Sequence, residues 1–357
     1  MTVGDSRQDP VKPDPTTLPL SAQDSIWLQN TRAWSRILNS IDEQHPDFLF
    51  FNSDMIMGYG KADVPPDTST VSAIVNSDLM KFYRQYAFWG GMVASLMENG
   101  TYVVPVAGNH EVQCHKAVQT SCANGKHALE VNEKAWRANM GDLILDDQRF
   151  LNLFGEQPSY ANVGNNGPLD SLTTDQSQLS YSFDFRGAHF AVINTDPVGN
   201  DAHAPTNWLA ADLAATQARG VKLFFVFGHK PAYTYSFGPG NSLPTSPSGL
   251  DNDTASRDAF WNVIEQYGAT YFCGHEYIFN MMQPRAVQGG KAWQILVGSG
   301  GSPFEALPTD VTINPQTDRD YAWATMKVYK NGKVSITAYG FDDHFGSTHV
   351  LRSITLH

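Results

Sequence analysis

Short apolar runs recur along this chain, and each stops at a turn crowded with residues able to hold a cation. "DFLFFNSD" ends at Asp54, "TYVVPVAGNH" at His110, and "HFAVINTD" at Asp196; "KLFFVFGHKP" passes through His229 and "ATYFCGHE" through His275. Apolar, aromatic and β-branched runs of this length are strand-like. Their continuous apolarity points to strands buried on both faces. Between them lie stretches with helical spacing, "DSIWLQNTRAWSRILNSIDEQ", "SDLMKFYRQYAFWGGMVASLMENG" and "TNWLAADLAATQARG". In the last, Thr206 is the expected N-cap and Gly220 the stop. Strands alternating with helices give an α/β fold.

The tail differs. "YAWATMKVYKNGKVSITAYGF" reads as two strands about Asn331-Gly332, a strong hairpin signal. "TINPQTDRD" and "SFGPGNSLPTSPSGLDND" have loop composition. No repeat and no low-complexity linker divides the chain. We therefore expect one domain over residues 1–357, its sheet completed by the hairpin region from about 320 to 357.

With 41% hydrophobic and 17% charged residues in 357, the chain can bury a substantial core. A net charge of -12 argues against nucleic-acid binding by bulk electrostatics. An anionic substrate would need local positive charge, and a bound cation is the simplest source. No apolar run approaches the ~18 residues of a membrane span, and the start lacks the regions of a secretory signal. The very short opening strand, Met1-Thr2-Val3, leads us to expect that a leader was trimmed away. Of three cysteines, Cys114 and Cys122 either close a small loop or remain thiols, and Cys273 reads as a buried thiol. A disulfide would imply an oxidising compartment, hence a periplasmic or secreted protein. Oligomeric state has no signature here.

Ligands of open α/β sheets bind beyond the carboxyl ends of strands. Asp5, Asp54, Asn109 with His110, His229 and His275 all fall at such ends and can converge. Carboxylate, amide and imidazole donors together suit zinc, manganese or iron. An aspartate can bridge two ions, and ions ~3.5–4 Å apart clamp an in-line displacement at phosphorus.

"GNHE", "FGHKPAY" and "CGHE", in this order after "GDSR" and "NSD", closely resemble the motifs of the calcineurin-like metallophosphoesterases. The resemblance runs from Gly4 to the C-terminal hairpin and includes "LSYSFDFRGAHFAVINTD", "NWLAADL" and "LVGSGGSP". It implies a four-layer αββα sandwich of two mixed β-sheets flanked by helices, with a two-metal hydrolase site. By resemblance, Asp54 is the bridging carboxylate, and Asn109, His229 and His275 complete one metal position. Asp5 belongs to the other. His110 is the outer-sphere imidazole that protonates the leaving oxygen or stabilises the transition state, and Glu111 orients it by hydrogen bonding. The activity implied is hydrolysis of a small phosphoester, most readily a phosphomonoester, by a hydroxide the ions activate. A phosphodiesterase, or a weakened module that binds phosphate or nucleotide, is the alternative.

Two departures fall on one metal position. The first motif usually reads Asp-x-His and here is Asp5-Ser6-Arg7; the last usually reads Gly-His-x-His and here is Gly274-His275-Glu276-Tyr277. Purple acid phosphatases also lack the first histidine and supply a tyrosinate three residues after the bridging Asp. Met57 stands there in this chain, with Tyr59 two further on. Tyr277 would then supply the phenolate, which favours iron at that position; otherwise it packs, or the position is weakened or empty. Arg7 cannot ligate while charged. It either forks toward substrate phosphate or pairs with Asp5 or Asp54. His344 and His349 are further imidazoles for a depleted position, although surface roles suit them better.

Overall fold

In the computed structural model, the run Phe48–Phe51 divides its side chains between two cores. Phe48 and Phe50 enter one, Leu49 and Phe51 the other. Leu223–Phe227 behaves alike, with Phe225 and Phe227 on one side and Phe224 and Val226 on the opposite side. Side chains alternate across a strand, so a strand apolar at every position is covered on both faces. The structure describes residues 1–7, 27–116, 122, 125–165, 167, 169–234, 247–302, 304 and 319–356. The loop-like stretches 236–246 and 312–318 lie outside these.

The first strands are β1 (Thr2–Val3), β2 (Phe48–Phe51), β3 (Tyr102–Pro105), β4 (Gln113–His115) and β5 (Lys126–Ala128). Next come β6 (Tyr160–Asn162), β7 (Tyr181–Phe185), β8 (Ala188–Val192), β9 (Leu223–Phe227) and β10 (Thr270–Cys273). The last are β11 (Phe279–Met282), β12 (Gln294–Val297), β13 (Tyr321–Val328), β14 (Val334–Phe341) and β15 (His349–Thr355). Helices are α1 (Trp27–Asp42), α2 (Val71–Val75), α3 (Asp78–Glu98) and α4 (Asn109–Val112), then α5 (Glu130–Met140), α6 (Asp147–Phe154), α7 (Thr206–Ala218) and α8 (Thr254–Tyr267).

One sheet runs β15-β14-β13-β1-β2-β3 and the other β11-β12-β10-β9-β8-β7-β6, with β4-β5 a small ribbon. Both are mixed. β1, β2 and β3 pair in parallel while β13 joins β1 antiparallel, Thr2 opposite Ala324. β8, β9, β10 and β12 are parallel, with β7 and β11 antiparallel beside them. Between the sheets Phe50 stacks on Phe227, ring centroids 3.8 Å apart. Outside the first sheet, Trp34 of α1 and Trp89 of α3 meet Phe51 edge-on at 5.2 and 5.1 Å. Outside the second, Trp208, Leu209 and Leu213 of α7 join Phe260, Trp261 and Ile264 of α8 over Phe224, Val226 and Tyr271. The layers are helix, sheet, sheet, helix.

The Asn331-Gly332 turn joins β13 to β14, and Gly332 takes the left-handed backbone such turns need (φ 83°). The antiparallel strands β13–β15 thereby extend the first sheet through β1. Thr206 is not the cap of α7. It is the first helical residue, and the N–H groups of Asn207 and Trp208 instead donate to the two carboxylate oxygens of Asp170, at 2.8 and 3.0 Å. A charged acceptor from another segment satisfies two N–H groups that one hydroxyl could not. Cys114 and Cys122 form a disulfide, and Cys273 is a buried thiol. No helix among the described residues is long and apolar enough to cross a membrane.

Candidate metal centre

The two sheets are tied together where β1, β2, β9, β10 and β12 end. Gly4 N–H donates to the Val297 carbonyl at 2.9 Å, and the Asp5 N–H to the Ser53 carbonyl at 2.8 Å. Ser302 N–H closes the Gly-rich segment after β12 onto the Asp5 carbonyl at 2.8 Å. At this edge Asp5, Ser53, Asp54 and His275 all adopt left-handed backbone, with φ of 62°, 77°, 51° and 74°. Such angles are uncommon for residues with a Cβ and concentrate where surrounding structure over-determines them. Gly108 explains why the third strand leaves through Gly-Asn. A Cβ there would lie 2.0 Å from Ser53 Oγ and 2.8 Å from His229 Cγ, so a larger residue would drive the Asn109 turn out of the cluster.

Asp5, Asp54, Asn109 and His229 are wholly buried, while His275 is partly accessible. The Asn52 carbonyl, 3.0 Å from His229 Nδ1, can only accept, so that nitrogen carries the proton. Nε2 then turns its lone pair toward Asp54 Oδ1 at 3.1 Å, Asn109 Oδ1 at 2.8 Å and His275 Nδ1 at 3.2 Å. The Asn109 amide is oriented by donating its Nδ2 to the Tyr59 hydroxyl, which leaves Oδ1 inward. Asp54 Oδ2 is buried without a hydrogen-bond partner. Acceptors facing one another around a buried carboxylate are repulsive unless a cation or an added proton lies among them. Two imidazoles, an amide oxygen and a carboxylate therefore fit a bound ion, and the donor types suit zinc, manganese or iron. Asp54, His229 and His275 have ligand atoms all within 4.8 Å of one another.

The same carboxylate dominates the electrostatics. Burial opposes ionisation of Asp54, yet the imidazoles of His110, His229 and His275 hold its carboxyl well below the usual range. Burial also disfavours charge on His229, but Asp54 outweighs it and raises the imidazole above its ordinary value. Burial, then the Asp54 charge, push Asp5 up. Both Asp5 oxygens accept the His275 N–H, at 3.0 and 3.1 Å.

Glu111 does not orient His110. Its Oε2 accepts from Ser53 Oγ at 2.5 Å, Gly108 N–H at 3.1 Å and Asp54 N–H at 3.2 Å; its Oε1 accepts from the N–H groups of Met55 and Ile56 at 2.8 and 3.3 Å. The turn after β2 leaves those N–H groups pointing inward, and the buried carboxylate answers them. Burial and Asp54 push the Glu111 carboxyl up to about 7. His110 is oriented by the Met57 carbonyl, 2.6 Å from Nδ1, and by the Tyr59 ring, 3.9 Å between centroids. Its Nε2 lies 3.6 Å from Asp54 Oδ2.

Tyr277 places its hydroxyl 3.4 Å from His110 Nε2 and accepts from Arg7 Nε at 2.9 Å. The Arg7 guanidinium lies over the Tyr277 ring at 4.8 Å and reaches Met57 Sδ at 3.1 Å. Among the described residues it makes no ion pair with Asp5 or Asp54, so the expected alternative of a carboxylate partner for Arg7 is not realised. His349 meets Asp320 at 3.0 Å and His344 meets Asp343 at 2.7 Å, so both remaining imidazoles are engaged elsewhere. Ser53, Met57 and Tyr59 are contributors that sequence reasoning did not assign. Tyr59, between two glycines in "MGYGK" just after Asp54, carried the only visible signal.

No family model matches the chain, and no curated protein matches it in sequence. Solved structures do. A purple acid phosphatase from yellow lupin (Lupinus luteus) seeds aligns over 99% of this chain and 52% of its own, with TM-score 0.57 at 12% identity. PhoD aligns over 90% of this chain and 69% of its own, with TM-score 0.51 at 15% identity. This chain thus spans about half the length of the lupin protein. From the paired mixed sheets between helical layers, and from these two alignments, the fold is that of the calcineurin-like metallophosphoesterases.

Proposed function

We propose that the chain is a metal-dependent phosphoester hydrolase acting on phosphomonoesters. The observation that supports this best is the meeting of Asp54, Asn109, His229 and His275 at one sheet edge, with His110 beside the same carboxylate. An ion held by those four would supply Lewis-acid polarisation of phosphoryl oxygen and activation of water.

The chain's own residues supply the rest. Because the Met57 carbonyl keeps Nδ1 protonated, His110 exchanges protons with substrate through Nε2. Protonated there as well as at Nδ1, the imidazole passes the Nε2 proton to the leaving oxygen and returns to the neutral form in which Nε2 is an acceptor. Glu111 holds the Asp54 turn and the Gly108 N–H in one piece, fixing the carboxylate relative to Asn109. The Tyr59 ring covers one face of His110 and keeps water from it. Arg7, half-buried at the rim, carries a planar fork suited to phosphoryl oxygens. The disulfide supports a secreted or periplasmic setting.

Turnover of p-nitrophenyl phosphate and of bis-p-nitrophenyl phosphate, each with zinc, manganese or iron, tests this. Monoester hydrolysis should dominate and vanish in His229→Ala. Dominant diester hydrolysis would make the chain a phosphodiesterase. Phosphate binding with no turnover under any ion would make it a binding module and end the hydrolase reading.

A further inference from the structure

The Arg7–Tyr277 pair occupies ground where a second ion would need ligands. Apart from the carboxylate of Asp54, the groups on that side are Asp5, His110, Tyr277 and Arg7, and the last three are engaged with one another. Asp5 turns both oxygens toward the one His275 N–H, and it lies outside the group of ionisable side chains whose ligand atoms approach within 4.8 Å. The Tyr277 oxygen accepts from Arg7 Nε at 2.9 Å. His110 Nδ1 donates its N–H to the Met57 carbonyl, so in the neutral imidazole Nε2 is the acceptor toward which the Tyr277 hydroxyl donates at 3.4 Å. A phenol that accepts from a guanidinium and donates to an imidazole has little left for a metal. Arg7 is charged at every working pH and cannot ligate. Held by Tyr277 and Met57, it opposes a neighbouring cation by direct repulsion. His344 and His349 are paired with carboxylates elsewhere.

We infer that this site takes a single ion, at Asp54, Asn109, His229 and His275, and that the Arg7 guanidinium, seated on Tyr277, stands where a second ion would. The ion and the guanidinium together offset the buried carboxylates of Asp5 and Asp54. Arg7 then holds a phosphoryl oxygen by charge-assisted hydrogen bonds. This deepens the proposed function and rests on its metal-site reading.

Stoichiometry separates the two. The purified chain is loaded with Zn²⁺ and separately with Mn²⁺, dialysed, and its bound metal measured by elemental analysis and calorimetric titration. The expected result is one ion per chain, none in His275→Ala, and two in the double variant Arg7→His, Tyr277→His. Two ions in the natural chain would overturn this inference and leave the hydrolase reading standing. No ion at all would overturn both. A folded double variant, checked by circular dichroism, that still takes one ion would show that Arg7 and Tyr277 do not close the position. With the ion bound, Arg7→Gln should keep one-ion stoichiometry and bind inorganic phosphate about tenfold more weakly, in line with the worth of a hydrogen bond to a charged group. Unchanged phosphate affinity would remove the guanidinium from phosphate binding.

Discussion

His110 presents Nε2 to the site because the Met57 carbonyl accepts a hydrogen bond from Nδ1–H at 2.6 Å. Replacing it removes the proton donor while leaving the side chains of Asp54, Asn109, His229 and His275 in place. His110→Ala should therefore lower turnover by ~10²–10⁴, the usual worth of acid–base catalysis, with bound metal unchanged. Unaltered turnover would take His110 out of the mechanism. At this scale the strand-end residues were legible, since each follows directly on an apolar run that fixes where the chain emerges. The partners of Glu111 were not. Most of its contacts are backbone N–H groups of the Asp54–Ile56 turn, and nothing in the letters of that turn announces which N–H groups it leaves inward. The Arg7–Tyr277 contact joins residues from the two sheets, and only the closing of the sandwich brings them together.

At the scale of elements, α7 is fastened to the second sheet by charge as well as by Trp208, Leu209 and Leu213. Asp170 caps its start, and Asp170→Ala should cost about 0.5–2 kcal/mol, the range for a lost N-cap, read as a lower melting temperature. An unchanged melting temperature would mean that water replaces the cap without loss. Further along, His189 of β8 lies between Asp184 of β7 at 2.6 Å and Asp212 of α7 at 2.9 Å, and Arg219 meets Asp184 at 2.8 Å. Burial disfavours charge on His189, but hydrogen bonds to Asp184 and Asp212 outweigh it and raise its pKa above the ordinary 6.5. A raised folded-state value means that this stabilisation is fully present below pH 6.5 and is lost as pH rises through the folded value. The melting temperature should accordingly contain a component that declines with pH above about 6.5. His189→Gln should lack that component; an identical pH profile would show that the imidazole is not charged in the fold. The helix itself was legible from its spacing and its Gly220 stop. Its cap was not, because Thr206 has the right chemistry in the right place and the competing carboxylate arrives from a distant segment.

Across the whole molecule, two sheets apolar on both faces are what bring the loops after β1, β2, β3, β9 and β10 to one edge. The αββα layering was implied by the resemblance alone; the uninterrupted apolar runs said only that a strand such as Phe48–Phe51 needs cover on both sides. The same layering decides the chemistry by placing Asp54 from one sheet against His229 and His275 from the other. A crystal of the protein soaked in Mn²⁺ or Zn²⁺, with data collected at the metal's absorption edge, tests this placement most directly. An anomalous peak should stand about 2.0–2.2 Å from the ligating atoms of Asp54, Asn109, His229 and His275, as expected for oxygen and imidazole ligands. A fully loaded crystal with no peak there, or with its metal bound away from those four side chains, would contradict the account.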